Sequence, residues 1–67
     1  MEKVIIRVKG MHCESCGQLI RMALEDIGAG RVSANHRKGI VSVEYETTRT
    51  NVKEIRAAIE KEGYKVA

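Results

Sequence analysis

The chain carries its only two cysteines three positions apart, at Cys13 and Cys16. They lie in the segment Gly-Met-His-Cys-Glu-Ser-Cys, which spans residues 10–16. Two thiols at this spacing across a helix start can point at one common atom, and the unpaired N–H groups and positive dipole there favour thiolate over thiol. The sequence therefore predicts two soft anionic sulfurs side by side, on a loop that enters a helix.

A pair of thiolates selects soft or borderline metal ions. Cu(I) is satisfied by two sulfur ligands, whereas zinc sites usually take four ligands. Beside the pair, His12 adds one nitrogen donor. Coordination number alone thus favours Cu(I), bound by Cys13 and Cys16, and leaves Zn(II) or other soft ions as metals that the pair could take up in vitro.

Four other uses of the two cysteines stay open at this level. A thioredoxin-like dithiol also starts a helix with Cys-x-x-Cys, although the segment before it usually carries aromatic residues and proline, and this chain has no Trp, Phe or Pro. A structural disulfide fits a cytosolic protein poorly. A zinc site shared between two chains would need a symmetric dimer that presents four sulfurs. Plain buried cysteines are disfavoured because Cys13 stands between His12 and Glu14.

Length and composition narrow the function further. A chain of 67 residues, 43% hydrophobic and 31% charged, predicts one folded domain over residues 1–67 with little room for an enclosed substrate cavity. No nucleophile triad, phosphate loop or carboxylate pair stands out, so we do not expect an enzyme. The two tyrosines are the only aromatic residues and offer no stacking platform, so no nucleic-acid partner is expected. The net charge of +3 favours an acidic partner surface instead.

Nothing in the sequence indicates a membrane or secreted protein. The longest apolar runs are a few residues, far below the ~20 needed to cross a bilayer. The first residues lack the basic and then apolar pattern of a secretory signal. We expect a cytoplasmic protein without direct membrane insertion.

Hydrophobic periodicity defines the elements that must position the cysteines. Alternation predicts a strand over residues 3–9, a hairpin of strands at 31–36 and 40–46, and a last short strand at 64–67. The order β-α-β-β-α-β predicts an α+β, ferredoxin-like sandwich, with an antiparallel four-stranded sheet and two helices on one face.

The two helices have separate start and stop signals. The first begins after Cys13 with Ser15 as its cap and ends at Gly28, and the second runs from its cap Asn51 to about residue 62. Spacing predicts that Met22 lies at the edge of the first helix's buried stripe. The residues predicted to be buried are Leu19, Ile20, Ala23, Leu24 and Ile27 in the first helix, and Val52, Ile55, Ala58 and Ile59 in the second.

The chain resembles the heavy-metal-associated domain family, which includes small copper chaperones and the metal-binding domains of copper-transporting P-type ATPases. The family signature Gly-Met-x-Cys-x-x-Cys stands at residues 10–16, followed by a Lys-Gly turn at 38–39 and a Gly-Tyr pair at 63–64. The resemblance covers essentially the whole chain and implies the same βαββαβ fold.

The resemblance also implies roles for single residues. Cys13 and Cys16 would bind Cu(I) in a near-linear arrangement, and Met11 would pack under the loop. Tyr64 corresponds to a tyrosine that bacterial chaperones place close to the metal. His12 occupies a variable position where zinc-transporting members tend to carry Asp.

By the same resemblance, the protein would deliver copper by thiolate exchange to a copper-transporting P-type ATPase domain or to a copper-responsive regulator. It would act as a monomer or as a copper-bridged dimer. Two alternatives remain: the N-terminal metal-binding domain of a heavy-metal ATPase, for copper or less readily zinc or mercury, and, from another class, a dithiol oxidoreductase.

Overall fold

The computed structural model describes residues 1–67 as four strands and two helices in the predicted order. The strands are β1 (Glu2–Lys9), β2 (Arg31–Asn35), β3 (Ile40–Tyr45) and β4 (Lys65–Val66), and the helices are α1 (Glu14–Asp26) and α2 (Val52–Lys61). All strand pairs are antiparallel, in the order β2-β3-β1-β4. The predicted ferredoxin-like fold is confirmed. Neither helix has the length and apolarity that a membrane span requires.

The pleat of the sheet separates an inner face from an outer face. Ile6 lies opposite Val41, and Val32 lies opposite Val43, so these side chains point to the same side. Both helices press their apolar residues onto this inner face and form one core with it. The buried cluster comprises Ile6, Val8, Met11, Ile20, Leu24, Val32, Val41, Val43, Tyr45, Ile55 and Ile59.

Helix α2 starts and packs as predicted. The Asn51 side chain accepts a hydrogen bond from the backbone N–H of Glu54 at 2.9 Å and closes the first turn. Ile55 and Ile59 are fully buried. The predicted Val52 and Ala58 are half-buried against the core.

Helix α1 begins after Cys13, as predicted, but without the predicted cap. It begins at Glu14, with Cys13 as the N-cap residue in an extended conformation, and no side chain caps it. Ser15 lies inside the helix, so the predicted Ser15 cap is wrong. A serine caps only from an extended position before the first turn, and Cys13 occupies that position.

The buried stripe of α1 agrees with the prediction at Ile20, Leu24 and the half-buried Ile27, but not at Leu19. Its fully buried positions are Gly17, Ile20 and Leu24, whereas Leu19 is 49% exposed and Met22 is 62% exposed. Leu19 as a buried residue and Met22 at the edge of the core are therefore wrong. Helix α1 approaches β2 closely at Gly17, where a Cβ atom would come within 3.1 Å of the Ala34 Cβ. A glycine contact of this kind leaves no trace in hydrophobic periodicity.

Candidate metal centre

The structure brings the two cysteines together at the start of α1. Their Sγ atoms are 3.4 Å apart, and both thiols are free. The backbone N–H of Cys16 donates to the carbonyl oxygen of Cys13 at 3.1 Å, which tightens this first turn. Cys13 is exposed, whereas Cys16 is half-buried and packs against the core. One sulfur is thus held against the body of the protein and the other faces outward.

Two residues support the loop before the cysteines: Met11 from within the core, and Tyr64 next to the start of the loop. Met11 is buried, with 4% of its surface exposed, and belongs to the hydrophobic core. Gly10 has a φ of +93°, in the left-handed region that favours glycine. A Cβ atom at Gly10 would lie 3.6 Å from the Tyr64 Cδ1 atom, so the tyrosine ring stands close to the start of the loop. The structure therefore places Met11 beneath the loop and Tyr64 beside it.

The environment of Cys16 lowers the pKa of its thiol from 9.0 to about 7. The largest cause is the Tyr64 hydroxyl, which acts as a hydrogen-bond donor to the thiolate. The neighbouring Cys13 thiol and backbone hydrogen bonds at His12 and Cys13 lower it further, against a small opposing effect of burial. About half of the Cys16 side chains are thiolate near pH 7 when the pKa is about 7.

The same contact raises the pKa of Tyr64 from 10.0 to about 12. Ionised tyrosine would lose its hydrogen bond to Cys16, would be partly desolvated, and would face the negative charge of the sulfurs. The Tyr64 hydroxyl therefore stays protonated at neutral pH and can keep donating to the thiolate.

Tyr64 comes to this site from the far end of the chain. The pairing of Lys9 on β1 with Lys65 on β4 sets it beside the loop that follows β1. Periodicity predicted β4 but not the contact of Tyr64 with Cys16. Only the Gly-Tyr pair of the family resemblance indicated that Tyr64 would lie close to the metal site. The largest cause of the lowered pKa of Cys16 is this hydroxyl, which the spacing of the two cysteines alone did not predict.

His12 is exposed on the loop. No three side chains among His, Cys, Asp and Glu come together anywhere in the protein as a ready set of metal ligands. The site consequently consists of two sulfurs, with His12 as an exposed neighbour. Such a pair can hold one soft metal ion or close into a disulfide.

Comparison with known families and proteins identifies relatives over the whole chain. The model of the heavy-metal-associated domain matches residues 5–65. A curated relative, the copper chaperone CopZ of Bacillus subtilis (strain 168), is 34% identical over 68 residues, which cover 100% of this chain and 99% of the relative. The similarity thus extends over the full length of both proteins.

Two solved structures resemble this fold closely. A CopZ metallochaperone superposes with a TM-score of 0.94 and 34% identity, over 98% of this chain and 100% of that chain. The N-terminal domain of a potential copper-translocating P-type ATPase from Bacillus subtilis, solved in its Cu(I)-loaded state, superposes with a TM-score of 0.90 and 32% identity, over 97% and 82% of the two chains. The same fold thus occurs in a metallochaperone and in the N-terminal domain of a potential copper-translocating ATPase.

Proposed function

The chain belongs to the heavy-metal-associated domain family, and on that premise we propose that it is a cytoplasmic Cu(I) metallochaperone and not an enzyme. Cys13 and Cys16 would hold the copper ion that it carries. The observation that carries the proposal is the pair of free thiols, one exposed and one half-buried, with sulfurs 3.4 Å apart at an uncapped helix start. The copper chaperone and the Cu(I)-loaded ATPase domain to which the chain is similar point to the same cargo.

The donor set favours Cu(I) over Zn(II) as the cargo. Two sulfurs complete a Cu(I) site, whereas a structural zinc site would lack two of its four ligands. Two metal–sulfur bonds of about 2.3 Å each, the length typical of thiolate on zinc, would span about 4.6 Å in line. The Sγ atoms at 3.4 Å would therefore move apart on binding. Cys13 is exposed and makes no capping hydrogen bond, so it is the side chain that can move.

The asymmetry of the pair suggests the order of ligand exchange. A thiolate of the receiving protein would attack the copper ion from the side of exposed Cys13, giving an ion held by three sulfurs. Cys13 would then leave, a second thiolate of the receiver would bind, and Cys16 would leave last. The Tyr64 hydroxyl would stabilise the departing Cys16 thiolate, because it is the largest cause of the lowered pKa of that thiol. Copper would pass between the proteins without release to water.

Two neighbours would support the site without binding copper, and a third lies exposed beside it. Met11 would hold the loop in place from the core, since its side chain is buried. Tyr64 would tune the charge of Cys16. His12 is exposed and would be a solvated loop residue, or a weak extra donor in a copper-bridged dimer.

The receiver would be the metal-binding domain of a copper-transporting P-type ATPase or a copper-responsive regulator. Mixing the Cu(I)-loaded protein with such a metal-free ATPase domain should transfer copper at a rate that a Cu(I) chelator in solution does not lower. A rate limited by release to the chelator would overturn transfer by direct exchange. A Tyr64→Phe variant should change the rate of transfer more than the affinity for Cu(I).

A second function is favoured by the ATPase domain, which is 32% identical to this chain. The same two cysteines would then serve as a metal-binding domain within a transporter, for copper or less readily for zinc or mercury. Association with a separate ATPase domain during transfer favours the chaperone, because a covalently attached domain has no need of it.

The low pKa of Cys16 also suits a dithiol oxidoreductase. That alternative predicts catalytic turnover in a disulfide-reduction assay and loss of turnover in Cys13→Ser. Turnover at ordinary enzymatic rates would contradict the chaperone proposal.

A further inference from the structure

The charges of this protein are divided unevenly between its two layers. The helices, with the C-cap Glu62, carry six carboxylates and four cationic side chains. The outer face of the sheet has the opposite balance, with five exposed cationic side chains and one carboxylate, Glu44. The five cationic residues of this outer face are Lys3, Arg7, Lys9, Arg31 and Lys65.

Strand register makes these residues one continuous surface. Lys3, Arg7 and Lys9 alternate with the buried residues of β1, and Lys65 lies directly opposite Lys9. At the other end, Arg31 lies opposite Glu44 and forms an ion pair with it at 3.8 Å. The single carboxylate is thus already engaged, and the cluster of Arg7, Lys9 and Lys65 has no acidic side chain opposite it.

An apolar centre accompanies the cationic residues. Ile5 points out of the same face and is 60% exposed. Ile40, half-buried, lies opposite Arg7 and diagonal to Ile5. No helix covers this side of the sheet. The outer face therefore presents two isoleucines with cationic residues toward both of its ends.

We propose that the outer face of the sheet docks on an anionic lipid surface, lying flat against the headgroups. Each cationic side chain is attracted to such a surface. An apolar side chain among them is stabilised by burial at the boundary between headgroups and acyl chains. The phosphates of a nucleic acid would bind the cationic side chains but provide no apolar surface that could bury Ile5. The face also has no aromatic side chain on which a base could stack. This docking is peripheral and involves no insertion of a helix.

The orientation keeps the cysteines accessible. Cys13 and Cys16 belong to the start of α1, which packs on the inner face of the sheet, so both would lie on the side away from the lipid. Lys9 and Lys65 stand next to Gly10 and Tyr64, so the cationic face reaches the edge of the cysteine loop. A docked protein would hold its thiols close to the membrane plane while leaving them open to a partner.

The test is flotation of the full chain with vesicles of phosphatidylglycerol mixed with phosphatidylcholine, and with vesicles of phosphatidylcholine alone, at low salt. The double variant Arg7→Gln/Lys9→Gln is compared with Lys53→Gln/Arg56→Gln on exposed positions of α2, which removes the same net charge. We expect binding to the anionic vesicles only, weakened about 30-fold in the sheet variant. The α2 variant should stay within about threefold of the original protein because its cations lie away from the lipid.

A third variant, Ile5→Ser, should weaken vesicle binding roughly fivefold without any change of charge. Circular dichroism confirms that each variant is folded. The proposal is overturned if the original protein does not bind anionic vesicles, or if the two double variants lose binding equally, which would indicate net charge alone. It is also overturned if a short DNA duplex binds with the same dependence on Arg7 and Lys9 but none on Ile5, and displaces the vesicles.

Discussion

The residues that precede the two helices have nearly the same backbone geometry, but only one of them caps its helix with its side chain. Cys13 before α1 has φ −146° and ψ 170°, and Asn51 before α2 has φ −146° and ψ 171°. Asn51 closes its helix with its own side chain, which accepts from the N–H of Glu54. Cys13 makes no such bond and leaves its sulfur 3.4 Å from that of Cys16.

The comparison separates a position used for stability from one used for function. Glu54 and Cys16 occupy the same place, three residues after their caps, so Cys16 is also the residue whose N–H a capping side chain at position 13 would engage. An asparagine cap is worth about 1 kcal/mol over a residue that cannot cap. At α1 the protein forgoes this stabilisation and keeps a free thiol instead.

The largest expected effect comes from giving α1 the cap of α2. Cys13→Asn should raise the free energy of unfolding by about 1 kcal/mol, because the new side chain can accept from the Cys16 N–H. It should also weaken Cu(I) binding by more than the roughly 10–100-fold that loss of a merely supporting residue costs. Chemical denaturation measures the gain in stability, and Cu(I) competition titration measures the loss of affinity. Cys13→Ala should show the loss of affinity without the gain in stability. Tight Cu(I) binding by Cys13→Asn would contradict the assignment of Cys13 as a ligand.

The next largest effect concerns the support beneath the cysteine loop. Met11→Ala should lower the free energy of unfolding by about 2–5 kcal/mol, since it empties a buried position. Met11→Leu keeps the volume and should cost less than about 1.5 kcal/mol. The Leu variant should also retain most of the Cu(I) affinity, measured in the same titration. A loss as large as that of the cysteine variants would identify Met11 as a ligand.

A smaller effect is expected at the tyrosine. Tyr64→Phe removes the hydroxyl that most strongly lowers the pKa of Cys16, so that pKa should rise from about 7 toward 9.0. The rate of alkylation of the metal-free protein as a function of pH measures this shift, with Tyr45→Phe as a control in the core. An unchanged profile would show that the hydroxyl does not act on Cys16.

The sign of the linked stability follows from the direction of the shift. The folded-state pKa of Cys16 is depressed, so its contribution to the stability of the metal-free protein is present above about pH 9 and is lost as the pH falls through 7. The stability difference between the original protein and Tyr64→Phe should accordingly be larger at alkaline pH and vanish in mild acid. Thermal denaturation over this pH range provides the measurement.

The smallest effect comes from removing the cap that α2 already has. Asn51→Ala should lower the free energy of unfolding by about 1 kcal/mol and leave Cu(I) affinity unchanged. The start of α2 follows β3, whose last residue Tyr45 lies opposite Glu2, at the end of β1 away from the cysteine loop. Equilibrium denaturation and the copper titration report the two quantities. A change in affinity would mean that the two helix starts are not independent.

Sequence patterns predicted the fold well where each signal was local. The alternation of β1, the hairpin of β2 and β3 and the Asn51 cap depend on neighbouring residues or on a short turn. The Ser15 cap was wrong because Cys13 holds the extended position before the first turn. The burial of Leu19 was wrong because it depends on how α1 lies against the sheet. Gly17 and Ala34 meet in that packing, and they belong to two elements that are distant in sequence.

The candidate site could likewise be predicted only where its features depend on local sequence. The two sulfurs could be predicted to lie close together from a spacing of three residues at a helix start. The position of Tyr64 beside Cys16 requires that β4 return next to β1, which no local pattern encodes. The concentration of cations on the outer face likewise follows only from the register of four strands.

The most direct test of the copper site is an anaerobic titration of the reduced protein with Cu(I) and then Zn(II) against a chromophoric chelator, with the Cys13→Ser/Cys16→Ser double variant alongside. We expect tight binding of one Cu(I) per chain, weaker binding of Zn(II), and loss of Cu(I) binding in the double variant. Preference for Zn(II), or Cu(I) binding that survives in the double variant, would contradict the account.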